Sequence, residues 1–226
     1  MPRTARASQA NYCYHVLNRG NLSAEVFHKA EDYQAFVDLM VEAGARVPMR
    51  VTAFCLMPNH FHLVVWPPGD GDLSRWMQWL MTSHVRRYHR HYGTGGHVWQ
   101  GRFKAFPIQQ DAHLLTVLRY VERNPLRANL VKRAEDWEWS SLRAFDKRAK
   151  RARDLAWLDP GPVRRGRSWV EGVNRPSTEA ELQALRRSVL RGAPFGAPEW
   201  QAQAAGALGL ESTLRARGRP RKVERP

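Results

Sequence analysis

The sequence predicts an α+β fold, a small antiparallel sheet with helices packed on one face, followed by a basic, mainly helical C-terminal extension. Three observations lead there. Strand-like and helix-like apolar periods follow one another in the order βα, ββ, α, β, α. The two middle strand-like segments are separated by Pro58-Asn59 alone, too short a link for anything but an antiparallel return. So small a sheet buries its apolar face most economically under helices.

Each element has its own signal. Tyr12 to Asn18 ("YCYHVLN") carries β-branched and aromatic residues and stops at the turn residues Arg19-Gly20-Asn21. Glu31 to Ala45 places Tyr33, Phe36, Val37, Met40 and Val41 at helical spacing. Met49 to Met57 reads as the second strand and His60 to Trp66 as its hairpin partner, so the histidine strand is central in a hairpin. After the Pro67-Pro68-Gly69 breaker, Asp72 to Tyr92 is a long amphipathic helix with Leu73, Trp76, Met77 and Leu80 on one face and a basic C-terminal half. Phe103 to Gln109 looks like a further strand. Asp111 caps a helix running to about Glu122, which Asn124-Pro125 should end. Beyond about Asp146 the composition shifts to Arg, Gly and Pro, the mark of a linker. Thr178-x-x-Glu181 is a capping-box start for a helix through about Leu190, and Pro198 to Leu208 makes a second short helix.

At 226 residues the chain accommodates one domain over 1–146 and an extension over 147–226. Apolar content of 43% with nine Trp excludes wholesale disorder, and no apolar stretch approaches the length of a membrane span. The start, "MPRTARASQANYCYHV", lacks a signal-peptide core, so the expectation is a cytoplasmic, nucleoid-associated protein. Cys13 and Cys55 are too few for a disulfide framework or a cysteine metal knuckle. Net charge is +15, with 36 basic residues against 21 acidic ones, and a polyanion is the expected partner. The extension holds 18 basic and 8 acidic residues, so it carries most of this excess, and the first domain has to supply the chemistry.

The candidate chemistry sits in "MPNHFHLVVW", Met57 to Trp66. Residues two apart on a strand share a face, so His60 and His62 project together while Phe61 and Leu63 project the other way. A pair of neutral imidazoles grips a divalent metal weakly, so a third ligand and open positions are expected. The bland alternative is a pair of strand histidines bonded to loops. Tyr120 shifts the balance. In "DAHLLTVLRYVERNP" the core stripe is Leu114, Leu118 and Val121, while His113, Thr116, Tyr120 and Asn124 lie on a polar flank. A phenol beside a metal-neutralised phosphate can attack phosphorus and store the bond as phosphotyrosine. Asn124, one turn away, can add an oxygen ligand. The alternative is an amphipathic helix with an exposed Tyr and an Asn as its stop.

His60-Phe61-His62 with a single downstream Tyr resembles the histidine–hydrophobic–histidine (HUH) single-tyrosine transposases. "YHVLNRGN" (Tyr14 to Asn21), "VFHKAEDYQAF" (Val26 to Phe36), "MPNHFHLVV", "WQGRFK" (Trp99 to Lys104), "RYVERNP" (Arg119 to Pro125) and "WEWSS" (Trp137 to Ser141) are similar to the REP-associated tyrosine transposases, bacterial relatives of the insertion-sequence-200-like enzymes. The resemblance covers about Tyr12 to Phe145. It implies a ferredoxin-like or RRM-like HUH fold and metal-dependent nicking and joining of single-stranded hairpin DNA. Mg²⁺ or Mn²⁺ would sit on His60, His62 and Asn124, and Tyr120 would be the nucleophile. Mobile relatives carry Gln where this chain has Asn124. They also form dimers that exchange the tyrosine helix, whereas the domesticated branch tends toward monomers, so monomer and homodimer both stay open; no protein partner and no membrane is implied.

In that frame Trp99, Arg102, Phe103 and Lys104 form a basic, aromatic DNA-contacting loop, Arg and Lys on phosphates and a ring on an unpaired base. The alternative is that the two aromatics belong to the core. Arg19 and Asn21 are further DNA candidates. Arg217-Gly218-Arg219-Pro220 with Arg221-Lys222 looks like the core of an AT-hook, suited to a minor groove. The two C-terminal helices read either as a helix-turn-helix or as a packing appendage. Two rival functions remain at this stage: a catalytically silent hairpin-binding protein, and a metal phosphodiesterase that uses water.

Overall fold

β1 (Cys13–Arg19), α1 (Ala30–Arg46), β2 (Arg50–Met57), β3 (His60–Trp66), α2 (Asp72–Tyr92), β4 (Lys104–Ile108) and α3 (Ala112–Glu122) follow in the predicted order in a computed structural model that describes residues 8–146 and 155–215. The strands form one sheet in the order β2-β3-β1-β4 with every neighbouring pair antiparallel. The tight link makes β3 the antiparallel neighbour of β2, and its pairing with β1 on the other side makes the histidine strand internal. Its register sets His60 opposite Arg19 of β1 and Met57 of β2, and His62 opposite Leu17 and Cys55.

The helices do not all lie on one face. α1 and α2 cover the face that carries Phe61, Leu63 and Val65, burying Phe36, Met40, Trp76 and Leu80 against it. α3 covers the opposite face, where Leu114, Val117, Leu118 and Val121 meet Ala53, Cys55, Val64 and Phe106. The reason lies in β2 and β3, which are buried at almost every position rather than at alternate ones. A sheet with apolar side chains on both faces needs cover on both.

Asp111 caps α3 as predicted, its side chain accepting from the His113 backbone N–H. α3 ends at Glu122, as predicted, and Asn124-Pro125 opens a separate short helix, α4 (Asn124–Arg127), with Arg123 (φ −84°, ψ −9°) between the two. Pro125 falls in the first turn of α4, where its missing N–H has no intrahelical partner to lose.

α5 (Trp169–Asn174), α6 (Glu179–Arg191), α7 (Pro198–Leu208) and α8 (Glu211–Leu214) complete the described chain. α6 begins at the predicted capping box, with both the Thr178 and Glu181 side-chain bonds present. It buries Leu185 in the α3-side core, and α7 contributes Ala205 and Leu208 to the other. This C-terminal part grips α3 and the residue that follows it at three points, Arg119, Glu122 and Arg123. Arg119 donates to both Glu181 oxygens at 2.8 and 2.7 Å. Arg123 donates to the Val173 carbonyl at 2.9 Å and also to that of Asn174. Glu122, fully buried, accepts from Ser141 Oγ and Trp169 Nε1, both at 2.7 Å, with Arg165 at 3.7 Å. The outer strands are hydrogen-bonded too: Phe195 exchanges backbone bonds of 2.9 Å with Pro107 and Gln109 beside β4, and on β2 Leu56 donates to Trp139 and Val51 accepts from Asp159, also at 2.9 Å. Among the described residues no helix is long and apolar enough to cross a membrane.

Candidate active site

The two-residue period of β3 brings His60 and His62 to the α3 side of the sheet, ring centroids 5.1 Å apart and nearly perpendicular. His62 is buried and His60 half-buried. α3 crosses this face and sets the Tyr120 ring edge-on to His62, 5.8 Å between centroids. The alternative of an exposed Tyr does not hold: Tyr120 and Asn124 are 7% and 1% exposed, because the helix turns that flank to the sheet. Asn124 Nδ2 donates back to the Tyr120 carbonyl at 2.9 Å, and its Oδ1 accepts from Arg127 Nη2 at 2.6 Å. The Arg127 guanidinium lies 5.1 Å from the centre of the Tyr120 ring. Because α4 follows α3 after a single residue, Arg127 reaches back over the site.

Both ligand candidates are held neutral. Burial pushes His60 down to about 4, and the Arg19 and Arg127 charges add to it. Burial also holds His62 well below the usual histidine value, helped by His15, His60 and Arg127. Each has one ring nitrogen engaged from within the fold: His60 Nδ1 lies 2.6 Å from Asn59 Oδ1 and His62 Nδ1 2.9 Å from His15 Nε2. Two neutral imidazoles side by side, each with its Nε2 left over, fit a divalent cation. Among the described residues no three His, Cys, Asp or Glu side chains cluster to hold a metal, so any further protein ligand must be of another kind. The Asn124 amide oxygen is such a group, once it shares itself between a cation and Arg127.

The first turn and the Trp99 loop meet at the His60 end of the sheet. Gly20 N–H donates to the Asn59 carbonyl, Asn21 N–H to that of Val98 and Gln100 N–H to that of Arg19, at 2.8, 2.8 and 2.9 Å. Gly20 has no room for a side chain there, since a Cβ would fall 2.1 Å from the Ala24 carbonyl oxygen. Arg19, Arg102 and Lys104 are exposed, and Asn21 is half-exposed. Trp99 and Phe103 are buried, Trp99 packing edge-on to Phe61 at 5.2 Å, which places both aromatics with the core. They also line a cavity of about 710 Å³ beside α2, with Arg86 and Arg102 in its wall. Arg217, Arg219, Arg221 and Lys222 lie outside the described residues.

The sequence pattern did not single out His15, Asn59 or Arg127. His15 had a signal: a lone imidazole in the apolar strand "YCYHVLN", on the face shared by Cys13 and Leu17.

Comparison with known proteins places this arrangement. The family model described as "Transposase IS200 like" matches residues 8–124, which hold His60, His62, Tyr120 and Asn124. The REP-associated tyrosine transposase of Escherichia coli K12 is 26% identical over 113 residues, 49% of this chain and 64% of that protein. A Haemophilus influenzae protein given the same name provisionally is 29% identical over 106 residues, 42% of this chain and 60% of that protein. The matched segment thus spans somewhat under two thirds of either relative's length. A REP-associated tyrosine transposase solved bound to a REP hairpin shares the fold, with a TM-score of 0.55 and 17% identity over 79% of this chain and 93% of that one. Matched by the family model over more than half its length, with both histidines and the tyrosine on one face of the sheet, the chain belongs to the IS200-like transposase family.

Proposed function

We propose that the protein nicks and rejoins single-stranded DNA next to hairpins of the REP type, through a covalent 5′-phosphotyrosine on Tyr120. The observation that carries this is the Tyr120 ring edge-on to His62 at 5.8 Å, on the face where His60 and His62 are side by side. The hairpin substrate is taken from the REP-associated relatives and agrees with a chain of net charge +15.

His60, His62 and Asn124 would hold Mg²⁺ or Mn²⁺. When bound, such an ion draws charge from a phosphate oxygen and makes phosphorus a better electrophile. The Tyr120 oxygen attacks phosphorus as its proton departs. The bond from phosphorus to the 3′ oxygen breaks, that oxygen takes up a proton, and the downstream fragment stays on the tyrosine. One phosphoester replaces another, so the return reaction with a 3′-hydroxyl needs no external energy. Arg127, over the Tyr120 ring, places positive charge where the phosphoryl group would arrive. Arg19, Asn21, Arg102 and Lys104 form the DNA-contacting rim, with Trp99 and Phe103 supporting it from the core. Arg217, Arg219, Arg221 and Lys222 add salt-sensitive affinity from the tail.

The test uses 3′-end-labelled hairpin DNA from sequence flanking the gene, with Mn²⁺ and either wild type or Tyr120→Phe, resolved on a denaturing protein gel. Label should migrate with wild type only, while both proteins retard the hairpin. Cleavage by Tyr120→Phe without adduct would replace this reading with the water-using phosphodiesterase; binding without cleavage by either protein would favour a silent binder. His60→Ala and His62→Ala should each lose metal-dependent cleavage.

A further inference from the structure

An imidazole ligates a metal through one nitrogen only when its proton sits on the other, so the partner of that other nitrogen decides which face a histidine offers. For His60 the partner is Asn59 Oδ1 at 2.6 Å. The orientation of this amide is fixed, because Asn59 Nδ2 donates to the Ser23 carbonyl at 3.0 Å. An amide oxygen only accepts, so His60 carries its proton on Nδ1 and a lone pair on Nε2.

For His62 the partner is His15. The two rings lie nearly parallel, 10° apart with centroids 5.0 Å from one another, and His15 Nε2 is 2.9 Å from His62 Nδ1. His15 is wholly buried on β1, its other side packed edge-on against Phe106 at 4.8 Å. Its Nδ1 is buried with no hydrogen-bond partner. His15 therefore makes its one side-chain hydrogen bond to His62.

We propose that Asn59 and His15 are positioning residues that turn Nε2 of His60 and of His62 toward a common divalent cation; this rests on the metal-site reading given above. Ligation through His62 Nε2 puts the His62 proton on Nδ1, which donates to His15 Nε2 and leaves the His15 proton on its own Nδ1. Because that Nδ1 has no partner in either tautomer, the swap breaks no hydrogen bond. In the opposite tautomer His15 Nε2–H donates to His62 Nδ1, and a proton occupies the nitrogen that a cation needs. Asn59 therefore presets one ligand outright, whereas His15 lets the other switch on binding.

The test is made on the full chain with ¹⁵N-labelled histidine, reading ring tautomers by long-range ¹H–¹⁵N spectra without metal and with diamagnetic Zn²⁺. His60 should be the Nδ1–H tautomer in both states, and with Zn²⁺ both His62 and His15 should be too. Mn²⁺ titration calorimetry should find affinity lowered about 10–100-fold by His15→Phe and by Asn59→Ala, with Asn59→Asp restoring most of it through its acceptor oxygen. If His60→Ala and His62→Ala bind Mn²⁺ like wild type, the metal-site reading fails and the proposal with it. If those two lose Mn²⁺ while His15→Phe and Asn59→Ala keep it, the reading stands and the proposal is overturned. Should His15→Phe not fold, the wild-type tautomers decide: Nε2–H on His60, or a bare Nδ1 on Zn²⁺-loaded His62, overturns it.

Discussion

Arg127 is exposed, yet it touches two of the side chains on which the chemistry is proposed to turn, the ring of Tyr120 and the amide oxygen of Asn124. Arg127→Ala should lower single-turnover cleavage on the order of 10²-fold, the usual loss when one preorganised donor to developing charge is removed, with hairpin affinity changed only a few-fold. Arg127→Lys should restore little, since an ammonium lacks the planar fork that spans both partners. Equal loss of binding and cleavage would instead make Arg127 a simple phosphate contact. On the opposite face of the sheet, His84 is buried among Phe27, Phe36 and Trp99, with its Nδ1 unpartnered. Burial, with Arg87 adding and Asp32 opposing, pushes it down to about 3. An unfolded histidine titrates near 6.5, so below that pH the unfolded chain binds a proton that the folded form refuses. Stability then falls as pH falls, by about 1.4 kcal/mol per unit for this one group. His84→Phe should flatten the urea-unfolding stability between pH 7.5 and pH 5 by about 2 kcal/mol relative to wild type. An unchanged slope would mean that His84 titrates normally in the folded state.

Among the elements, α3 is the one whose position the chemistry depends on most, and Glu122 sits at its centre of attachment. Glu122→Ala leaves Arg165, itself only 3% exposed, without its carboxylate and strands the Ser141 and Trp169 donors. Loss of one member of a buried ion pair costs about 3–5 kcal/mol, which urea denaturation at neutral pH would read directly. A loss below about 1 kcal/mol would show that water reaches the pair. None of this was visible in the sequence, where Arg165 falls in the Arg-, Gly- and Pro-rich stretch that reads as a linker. The strands and helices themselves were legible: the link Pro58-Asn59 fixed the hairpin, and Asp111 and Thr178 marked helix starts by hydrogen bonds they do make. Arg127 was missed because Asn-Pro resembles a stop, although proline suits a first helical turn as well as a break. The strand period alone puts His60 and His62 on one face, whereas the helix period set Tyr120 on a polar flank and only the packing of α3 turns that flank to the histidines. His15 could not be picked out, because its meaning depends on the pairing of β1 with β3, set by contacts far apart in the chain.

For the molecule as a whole, the hydrogen bonds along the outer strands have a consequence for solubility. A four-stranded open sheet ends in two rows of backbone donors and acceptors, which left bare invite strand addition from a neighbouring copy. Here Phe195 occupies the free side of β4, while Trp139, Asp159 and the Arg165 guanidinium occupy that of β2. Much of this cover comes from residues after 154, so a chain ending at Asp146 would bare the margin of β4 and part of that of β2. Such a truncation should self-associate with rising concentration in light scattering while the full chain does not, and equal behaviour of the two would count against the idea. The C-terminal segment would then act as a built-in substitute for the extra strands that a longer sheet would need, a guard against aggregation.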